Sequence, residues 1–430
     1  MLTFYERFTG AAYVLARPFL ELWSKWEGPD GMWSGRLGHL PAELVALGPQ
    51  DLWLQAVSVG EVAVAEALVK AIDNLAPQKN LRILISSTTP AGFARAISSL
   101  EDRCSIIPFP LDFPQVVSHL VGQVRPRVYA SLETELWPNL LRTVQGFGTK
   151  TILLNGRISV RSYPKYLRLR SLISPILRGF TRICAISEVH AQRLKSLGAP
   201  VDRIFVTGNA KFEGLLERPD PSRPQCLREK LNVPEGIKVF VAGSLRSGEQ
   251  HQIVRTYLDL KAIWPDMVFF IVPRHLSLVP KLKKALRSAA VPYELWSGLE
   301  LGEQRREKVV IVDVIGPLFD LYGLATAAFV GGSLVSKGGQ NIMEPAAWAC
   351  PVFYGPHMEN FEEARCVVER FGGGRSIGDW KELSIHVARI FKDHEARMNM
   401  GQRAFKALKE LAQGAASRQA EMLLEALALA

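Results

Sequence analysis

A chain of 430 residues is too long for one ordinary hydrophobic core and predicts two domains of roughly 200 residues each. Hydrophobic residues make up 48% of the chain and charged residues 22%, which excludes a disordered protein. The five cysteines are scattered, with no C-x-x-C pair and no nearby histidine at zinc spacing. This pattern indicates a reducing compartment and no structural metal.

The first predicted element is a one-sided helix over residues 1–26, whose apolar residues recur at spacings of three and four. Its longest uncharged run, Phe8–Ala16, is far shorter than the ~20 residues that a membrane span needs. No basic segment precedes an apolar run and no A-x-A-like site follows, so a cleaved signal peptide is not expected. Because Trp23 and Trp26 lie near basic residues, we predict an interfacial membrane anchor rather than a helix packed into the core. Pro18 is expected to bend or break this helix.

Beyond this helix, short apolar runs alternate with longer helical patterns, which predicts parallel sheets covered by helices on both faces. Residues 217–235 carry four prolines and flanking charge, so we expect a linker there. The prediction is an α/β fold with two Rossmann-like, doubly wound domains, over residues 27–216 and 236–395, and closing helices over residues 396–430. Such domains present the carboxyl ends of their strands to the ligand, so we expect them to face each other across a cleft. The predicted strands are Leu52–Val59, Leu81–Ser86, Arg127–Leu132, Thr151–Asn155, Arg182–Ile186, Lys238–Ala242, Met267–Val272, Val309–Val312, Ala327–Val330 and Pro351–Tyr354.

Two acidic motifs and one lysine of the first half stand out. Gly60 permits a tight turn after the first predicted strand, which we expect to leave Glu61 exposed at the strand's carboxyl end. A carboxylate there could accept a proton from a substrate hydroxyl, or it could merely complement the helix dipole. Glu133 and Glu135 also follow a strand and could position cationic side chains or cap the next helix. Lys211 lies near the predicted domain junction and could stabilise the charge of a departing phosphate.

The net charge of +10 is concentrated in one tract. From Leu136 to Ser187 there is no Asp or Glu, while there are nine Lys or Arg. Such a tract raises the local concentration of an anionic partner, such as a lipid head group or a phosphorylated substrate. No helix-turn-helix, zinc-finger or RNP-like pattern accompanies it, so nucleic acid is not the expected partner. The simpler alternative is a solvated basic face.

The second half carries glycine-rich loops after its predicted strands. The loop from Gly331 to Gly339 leads to a helix predicted to begin at Asn341, whose N–H groups and dipole suit an anion. Glu344, in the first turn, is better suited to accepting hydrogen bonds from ribose hydroxyls. Arg274, in the segment Pro-Arg-His, could pair with a phosphate. These features predict a sugar-nucleotide pocket, and the alternative is a glycine turn with a helix-capping carboxylate.

The order of these motifs closely resembles that of the 3-deoxy-D-manno-oct-2-ulosonic acid (Kdo) transferases, which act on the lipid A precursor of Gram-negative bacteria. The resemblance runs through nearly the whole chain. The matching segments are RLGHLP at 36–41, AVSVGE at 56–61, ETELWPNL at 133–140, LLNGRIS at 153–159, GNAKF at 208–212, AGS at 242–244, VPRH at 272–275, VGGSLV at 330–335, GGQNIMEPAA at 338–347 and GPHMENF at 355–361.

The resemblance implies a two-domain GT-B glycosyltransferase that moves Kdo from CMP-Kdo to lipid IVA, with inversion at the anomeric carbon and without metal or cofactor. Carried over by motif, Glu61 is the general base, and Glu133 and Lys211 support the transition state. The implied location is the cytoplasmic side of the inner membrane, where the protein is monotopic. The implied partners are CMP-Kdo, an anionic phosphorylated glycolipid and the membrane surface. The residues implied to bind CMP are Pro273, Arg274, Val314, Ile315, Gly316, Asn341, Ile342, Met343 and Glu344.

Two motifs depart from the family pattern. The family often has M-G-E-L where this chain has the residues from Ile315 to Leu318, and H-N-P-L-E where it has those from Gln340 to Glu344. Side-chain contacts in the nucleotide pocket are therefore expected to differ, whereas backbone contacts are expected to survive. Two alternatives stay open: another GT-B nucleotide-sugar enzyme, such as an epimerase, or a lipid-binding relative without catalysis. The number of Kdo residues transferred, the oligomeric state, the acyl pattern of the acceptor and whether the first helix spans or lies on the bilayer are left open by the sequence.

Overall fold

The computed structural model describes residues 1–27, 32–301 and 304–430. They form two compact units, of which unit 1 comprises Met1–Gly214 and Ala412–Ala430, and unit 2 comprises Leu215–Leu411. Each unit holds one sheet of seven parallel strands. The predicted α/β class is therefore confirmed in both units. Residues 28–31, near the predicted start of the N-terminal domain, lie outside the described residues.

Unit 1 contains the first seven strands and the helices that cover them. The strands are β1 (Leu52–Gln55), β2 (Ile83–Ser87), β3 (Ser105–Pro108), β4 (Val128–Leu132), β5 (Lys150–Gly156), β6 (Arg182–Ala185) and β7 (Ile204–Val206). The helices are α1 (Leu2–Glu27), α2 (Met32–Arg36), α3 (Ala42–Ala46), α4 (Val59–Leu75), α5 (Pro90–Leu100), α6 (Pro114–Val124), α7 (Pro138–Gly146), α8 (Tyr163–Arg168), α9 (Arg170–Gly179), α10 (Glu188–Ser196) and α11 (Glu213–Glu217), the last of which leads into unit 2.

The strand order of unit 1 is β3-β2-β1-β4-β5-β6-β7, so the order reverses between β1 and β4. Successive residues of β1 serve opposite faces of the sheet, as the period of two in a strand requires. Leu52 and Leu54 belong to a core cluster that includes α4 and α5, whereas Trp53 belongs to the cluster that includes α6, α7 and α9. Both faces are therefore buried, which explains why the strands read as nearly continuous apolar runs.

Helix α1 packs onto unit 1 through its polar side and leaves its apolar side exposed. The Tyr5 hydroxyl donates to Asp112 Oδ2 at 3.2 Å, and Asn139 Nδ2 donates to Thr9 Oγ1 at 3.0 Å. In contrast, the large apolar residues on the opposite face of α1 are each between half and nine-tenths exposed. These residues are Phe4, Phe8, Val14, Leu15, Phe19, Leu22, Trp23 and Trp26.

This arrangement is the reverse of an ordinary surface helix, which turns its apolar side to the core. Pro18 lies inside α1 without ending it. No helix among the described residues combines the length and the apolar character that crossing a membrane would require.

Unit 2 repeats the same architecture with the next seven strands. The strands are β8 (Val239–Leu245), β9 (Val268–Pro273), β10 (Glu294–Leu295), β11 (Val309–Ile311), β12 (Ala327–Val330), β13 (Val352–Tyr354) and β14 (Gly374–Ser376). The helices are α12 (Ser222–Lys230), α13 (Gln250–Ile263), α14 (Val279–Ser288), α15 (Trp296–Glu300), α16 (Leu318–Leu324), α17 (Met343–Ala347), α18 (Glu362–Phe371), α19 (Trp380–Lys392) and α20 (His394–Ala412), after which α21 (Ala415–Ala428) belongs to unit 1.

Two segments differ from the expected linear division of the chain. The segment expected to be a linker contains α12, because Pro224 occupies the first turn of that helix, where no intrahelical N–H is needed. The segment over residues 396–430 is also not a single closing element. Helix α20 stays with unit 2, whereas α21 adds Ala416, Ala420 and Leu423 to the core cluster that contains α4.

Candidate active site

The candidate catalytic residues of unit 1 lie where the strand order of its sheet reverses. Strands β1 and β4 are parallel neighbours there, with Gln55 opposite Ser131. Glu61 follows β1, and Glu133 follows β4 directly. In open parallel sheets, the crevice outside the carboxyl ends of two such strands is the usual ligand site.

Glu61 lies in the first turn of α4 and is buried, with only 7% of the residue exposed. The expectation that the turn leaves Glu61 exposed was therefore wrong. The carboxylate folds back over the helix start, where Oε2 accepts a hydrogen bond from the Val57 N–H at 2.8 Å. The Ser58 hydroxyl donates to Oε1 at 3.0 Å. Because residue 60 is glycine, no side chain there obstructs this position of the Glu61 carboxylate.

The surroundings of Glu61 disfavour its negative charge. Burial raises its pKa from the ordinary 4.5 to about 7, and the carboxylates of Glu133 and Glu135 act in the same direction. Each of the two hydrogen bonds lowers the pKa, but by less than burial raises it. Complementing the helix dipole, the alternative left open by the sequence, favours the charged carboxylate and would lower the pKa, so it does not explain the raised value. A carboxylate with a pKa near 7 is suited to exchange protons at neutral pH.

Glu133 has a backbone conformation that non-glycine residues rarely adopt, with φ at 55°. Its N–H donates to the Leu154 carbonyl at 2.9 Å, which fixes the turn against β5. Its Oε1 lies 3.7 Å from Arg157 Nη1 and 3.8 Å from Lys211 Nζ. Strained residues of this kind cluster at functional sites, where the surrounding structure compensates for the strain.

Lys211 reaches this site from a short 3-10 helix, Ala210–Phe212. That helix is held by two asparagines: Asn155 Oδ1 accepts from the Ala210 N–H at 3.0 Å, and Asn209 Oδ1 accepts from the Lys211 N–H at 3.2 Å. A Cβ atom added to Gly60 would lie 3.2 Å from Lys211 Nζ. The ammonium group therefore lies against the helix turn that carries Glu61, so the structure brings the three candidate residues of unit 1 together.

Two further residues belong to this site, and the sequence analysis singled out only Glu135 of the two. Arg157 was counted only as part of the basic tract, yet it pairs with Glu133, and its N–H donates to Thr134 Oγ1 at 3.2 Å. Glu135 is partly buried, which raises its pKa, and it accepts from the Trp137 indole N–H at 3.0 Å. The only signal for Arg157 was its place in Asn-Gly-Arg, directly after a predicted strand.

In unit 2, the strand order is β10-β11-β9-β8-β12-β13-β14, so the reversal lies between β8 and β12. The loops after these two strands are joined by Glu249, which is fully buried. Its carboxylate accepts four backbone hydrogen bonds, from the N–H groups of Arg246, Gly332, Ser333 and Leu334, at 2.8 to 3.0 Å. The sequence analysis did not identify Glu249.

The predicted nucleotide residues lie at or after the carboxyl ends of β9, β11 and β12. Pro273 ends β9, and the adjacent Arg274 is exposed, with its Nε donating to Gln340 Oε1 at 3.2 Å. Asn341 Oδ1 accepts from the Met343 N–H at 3.1 Å, and Asn341 Nδ2 lies 3.4 Å from Glu344 Oε1. The helix begins at Met343 and not at Asn341.

The predicted nucleotide residues differ in what they can offer a ligand. Ile342 and Met343 are fully buried, so neither residue presents an exposed group to a ligand. Ile315 is 91% exposed, and Gly316 has a φ of 129°, which favours glycine. Val314 is partly buried and packs against the core cluster that contains Val310 and Val312.

The basic tract forms an exposed surface around α8 and α9. Three of its cations have acidic partners within unit 1: Arg142 pairs with Glu6, Arg157 with Glu133 and Arg182 with Glu425. By contrast, four exposed cations around α8 form no ion pair with any of the described residues. They are Arg161, Lys165, Arg168 and Arg170.

Comparisons with known proteins agree with the motif order. Residues 31–214 match the family model described as 3-deoxy-D-manno-octulosonic-acid transferase (kdotransferase). The chain is 30% identical over 372 residues to a 3-deoxy-D-manno-octulosonic acid transferase of Chlamydophila psittaci, covering 84% of this chain and 81% of the relative. It is 36% identical over 312 residues to a bifunctional glycosyltransferase/methyltransferase of Fusobacterium nucleatum. That match covers 72% of this chain but only 48% of the relative.

Solved structures give the same fold at low sequence identity. The UDP-GlcNAc 2-epimerase of Neisseria meningitidis, solved with bound UDP-GlcNAc, is similar with a TM-score of 0.62 and 12% identity, covering 88% of this chain and all of that chain. This likeness supports the GT-B fold and nothing more specific. The motif order, the family match and the Chlamydophila relative together establish that the chain belongs to the 3-deoxy-D-manno-octulosonic acid transferases, a family of glycosyltransferases.

Proposed function

We propose that this protein transfers Kdo from CMP-Kdo to the lipid A precursor lipid IVA, with inversion at the anomeric carbon and without a metal ion. The observation that carries the proposal is the environment of Glu61. Its carboxylate lies at the strand-order reversal of unit 1, its pKa is about 7, and Glu133 and Lys211 lie beside it. A general base for a sugar hydroxyl needs this combination of proton affinity and positioning.

In the proposed reaction, an acceptor hydroxyl oxygen attacks the anomeric carbon of Kdo while Glu61 takes the hydroxyl proton. The bond between that carbon and the phosphate oxygen breaks, and CMP leaves with the electron pair. A single displacement of this kind inverts the configuration. The Ser58 hydroxyl and the Val57 N–H orient the Glu61 carboxylate, so that the base is held in place before the substrate arrives.

The other charged groups of unit 1 would steady the charge that develops during transfer. Lys211 and Arg157 both lie within 4 Å of Glu133 Oε1, so the three groups form a fixed array with a net positive charge. Preorganised charges of this kind stabilise a transition state without having to reorganise during the reaction. Glu133 is therefore proposed to hold the two cations, and Lys211 to face the departing phosphate.

The donor is proposed to bind in unit 2, with its CMP portion against Pro273, Arg274, Val314–Gly316 and Asn341–Glu344. Glu249 supports this proposal because its hydrogen bonds hold the loops after β8 and β12 in place. All four bonds come from backbone N–H groups, so the side chains of these loops remain available to a ligand. Arg274 would pair with the phosphate, and Glu344 would accept hydrogen bonds from the ribose hydroxyls. Arg274 is proposed to neutralise the phosphate charge with its guanidinium group, a task for which other transferases use a divalent metal ion.

The acceptor is proposed to be presented at a membrane surface, on the cytoplasmic side of the inner membrane. Helix α1 turns large apolar side chains outward, and the cations around α8 are left without acidic partners among the described residues. Ser171 of α9 contacts Met1, so the basic surface and the beginning of α1 adjoin. Apolar side chains beside unpaired cations suit an anionic lipid surface. The acyl chains of a phosphorylated glycolipid would contact the apolar side chains, and its phosphates would contact the cations.

The test is mass spectrometry of the products that the purified protein forms from CMP-Kdo and lipid IVA, with and without EDTA. We expect a lipid product heavier by Kdo in both conditions. Glu61→Gln should lower turnover by roughly 10²-fold or more, because the amide cannot take the proton. Glu66→Gln, on the same helix, is the matched control and should keep its turnover. Transfer by Glu61→Gln at the wild-type rate would remove Glu61 from the mechanism, and no transfer by the wild type would refute the proposed function.

A further inference from the structure

Three loops at the carboxyl edge of the unit 2 sheet, together with the beginning of α14, line an open cavity of about 170 Å³. They are the loop after β8, the loop between β9 and α14, and the glycine-rich loop after β12. None of the described residues that line the cavity is acidic. Its polar lining residues are Arg246, Ser247, His275, Ser277, Lys281 and Lys337.

The cations of this cavity have only neutral partners. Lys281 Nζ donates to the Ser247 hydroxyl at 2.9 Å, and Arg246 Nη1 lies 2.6 Å from His275 Nε2. A guanidinium group cannot accept a hydrogen bond, so His275 Nε2 must accept and the imidazole must be neutral. The Nε of Arg246 is buried and has no hydrogen-bond partner among the described residues. Positive charge and a spare donor without a counter-ion indicate that the cavity is built for an anion.

The cavity adjoins the residues proposed to bind the CMP phosphate. His275 follows Arg274 directly, and Arg274 is bonded to Gln340. Gly332 lies between the two groups, because a Cβ atom there would be 3.3 Å from Arg246 Cγ and 3.4 Å from Gln340 Nε2. An anion in the cavity would therefore lie next to a phosphate held by Arg274.

We infer that this cavity binds the carboxylate of the sugar acid that is joined to the nucleotide. The inference rests on the proposed function and specifies how the donor is chosen. An octulosonic acid carries its carboxylate on the anomeric carbon, so only three bonds separate the carboxylate carbon from the phosphorus. Arg246 and Lys281 thereby become specificity-determining residues. A neutral sugar would offer no negative charge to either cation, which selects against ordinary sugar nucleotides.

The experiment compares the equilibrium binding of CMP-Kdo and of CMP, which requires no turnover. Lys281→Met and Arg246→Gln are the test variants. Lys284→Met is the matched control, because Lys284 is exposed on the same helix and does not line the cavity. We expect the wild type and the control to bind CMP-Kdo more tightly than CMP. Each test variant should weaken CMP-Kdo by about tenfold or more, the value of a hydrogen bond to a charged group, and leave CMP within twofold.

Several results would overturn the inference. The first is equal affinity of the wild type for the two ligands, and the second is unchanged CMP-Kdo binding in both test variants. The third is a loss of CMP affinity in the test variants as large as their loss of CMP-Kdo affinity, which would make the cavity a phosphate site. Failure of the proposed function would look different. In that case the wild type would show the expected preference for CMP-Kdo and the test variants would lose it, yet no Kdo would reach the lipid.

Discussion

The Glu61 carboxylate is buried, whereas the role of general base that we propose for it requires a negative charge. Because burial raises its pKa to about 7, the native state holds this proton more tightly than the unfolded chain does. The group therefore contributes stability that is fully present below about pH 4.5 and is lost as the pH rises through about 7. The charged form that the proposed base catalysis needs is thus the form that destabilises the native state.

The first prediction concerns this opposition between stability and activity. Glutamine at position 61 cannot ionise, so the free energy of unfolding of Glu61→Gln, relative to wild type, should rise by about 3 kcal/mol between pH 4.5 and pH 8. Urea denaturation at the two pH values measures this change. In the wild type, kcat/KM should rise with pH and level off above about pH 7, where Glu61 is ionised. A relative stability that does not change with pH would mean that the Glu61 pKa is not raised.

The second prediction concerns the contact between Gly60 and Lys211. Gly60→Ala places a methyl group 3.2 Å from Lys211 Nζ, so the ammonium must shift away from the turn of Glu61. We expect kcat to fall by about tenfold. Stability should change little or rise, because alanine is the better helix former by ~1 kcal/mol. Gly122→Ala is the control, since nothing lies within 4 Å of the added methyl group in α6, and it should leave kcat unchanged.

At the residue scale, sequence reasoning found the candidate groups but not their environment. Glu61, Glu133 and Lys211 were identified by motif, and the structure places them together. The burial of Glu61 could not be read from the chain, because it depends on how the carboxylate folds back to Val57 and Ser58. The task of Glu249 was also hidden, since three of its four donors lie in a loop more than eighty residues further along the chain.

At the scale of elements, α1 packs onto the rest of unit 1 through its polar face. Asp112 is central to this packing, because its carboxylate accepts from Tyr5 of α1 and from the N–H groups of Asn139 and Leu140 at the beginning of α7. Helix α7 follows the turn that carries Glu133 and Glu135. The apolar face of α1 therefore remains outside while its polar face is tied to the helix beside the candidate site.

The third prediction tests the outward face of α1. Phe8→Ser combined with Phe19→Ser should weaken partition onto anionic lipid vesicles by more than tenfold, because each buried phenylalanine contributes about 1.5–3 kcal/mol. Both side chains are exposed, so folding should be unaffected. Ile385→Ser, which changes an equally exposed apolar residue of unit 2, is the control for sedimentation with the vesicles. Unchanged partition of the double variant would contradict the anchoring proposal.

The fourth prediction concerns the loops that Glu249 holds. Glu249→Gln replaces an acceptor of four N–H groups by an amide whose NH₂ cannot accept, so at least one buried N–H loses its partner. We expect the free energy of unfolding of unit 2 to fall by about 3 kcal/mol, and CMP binding to weaken. Glu395→Gln, at an exposed position of α20, should leave both unchanged. Stability equal to that of the wild type would show that the four hydrogen bonds are dispensable.

The strands that sequence reasoning missed share one position in the sheets. All ten predicted strands exist, whereas the four missed strands, β3, β7, β10 and β14, are the outermost strands of the two sheets. A central strand is buried on both faces and reads as a continuous apolar run, as in Phe269–Ile271. An edge strand such as β14, Gly374–Ser376, is only partly covered and lacks that signal.

At the scale of the whole molecule, unit 1 is discontinuous in sequence and unit 2 is continuous. The core around α4 is completed by α21, whose Ala416, Ala420, Leu423 and Leu427 are buried against it. The sequence suggested closing helices in this region. It could not show which unit they serve, because small apolar residues at helical spacing fit many surfaces.

The fifth prediction follows from this discontinuity. A variant ending at Leu411 should keep unit 2 folded and lose the cooperative unfolding of unit 1, since the removed helix leaves the apolar face of α4 open to water. Hydrogen exchange read by mass spectrometry distinguishes the two units. Amides of β1 and β4 should exchange rapidly and those of β8 and β9 slowly. Protection of β1 and β4 in this variant would show that α21 is not needed.

The route of the chain also sets an order of events during synthesis. Residues 215–411 can collapse into their own sheet as soon as the ribosome releases them, whereas the earlier two hundred residues must wait for a helix that is translated after that sheet. During the delay, the apolar strip of α4 destined for α21 has nothing to cover it. A nascent chain of this design would benefit from a chaperone until residues 415–428 have left the ribosome.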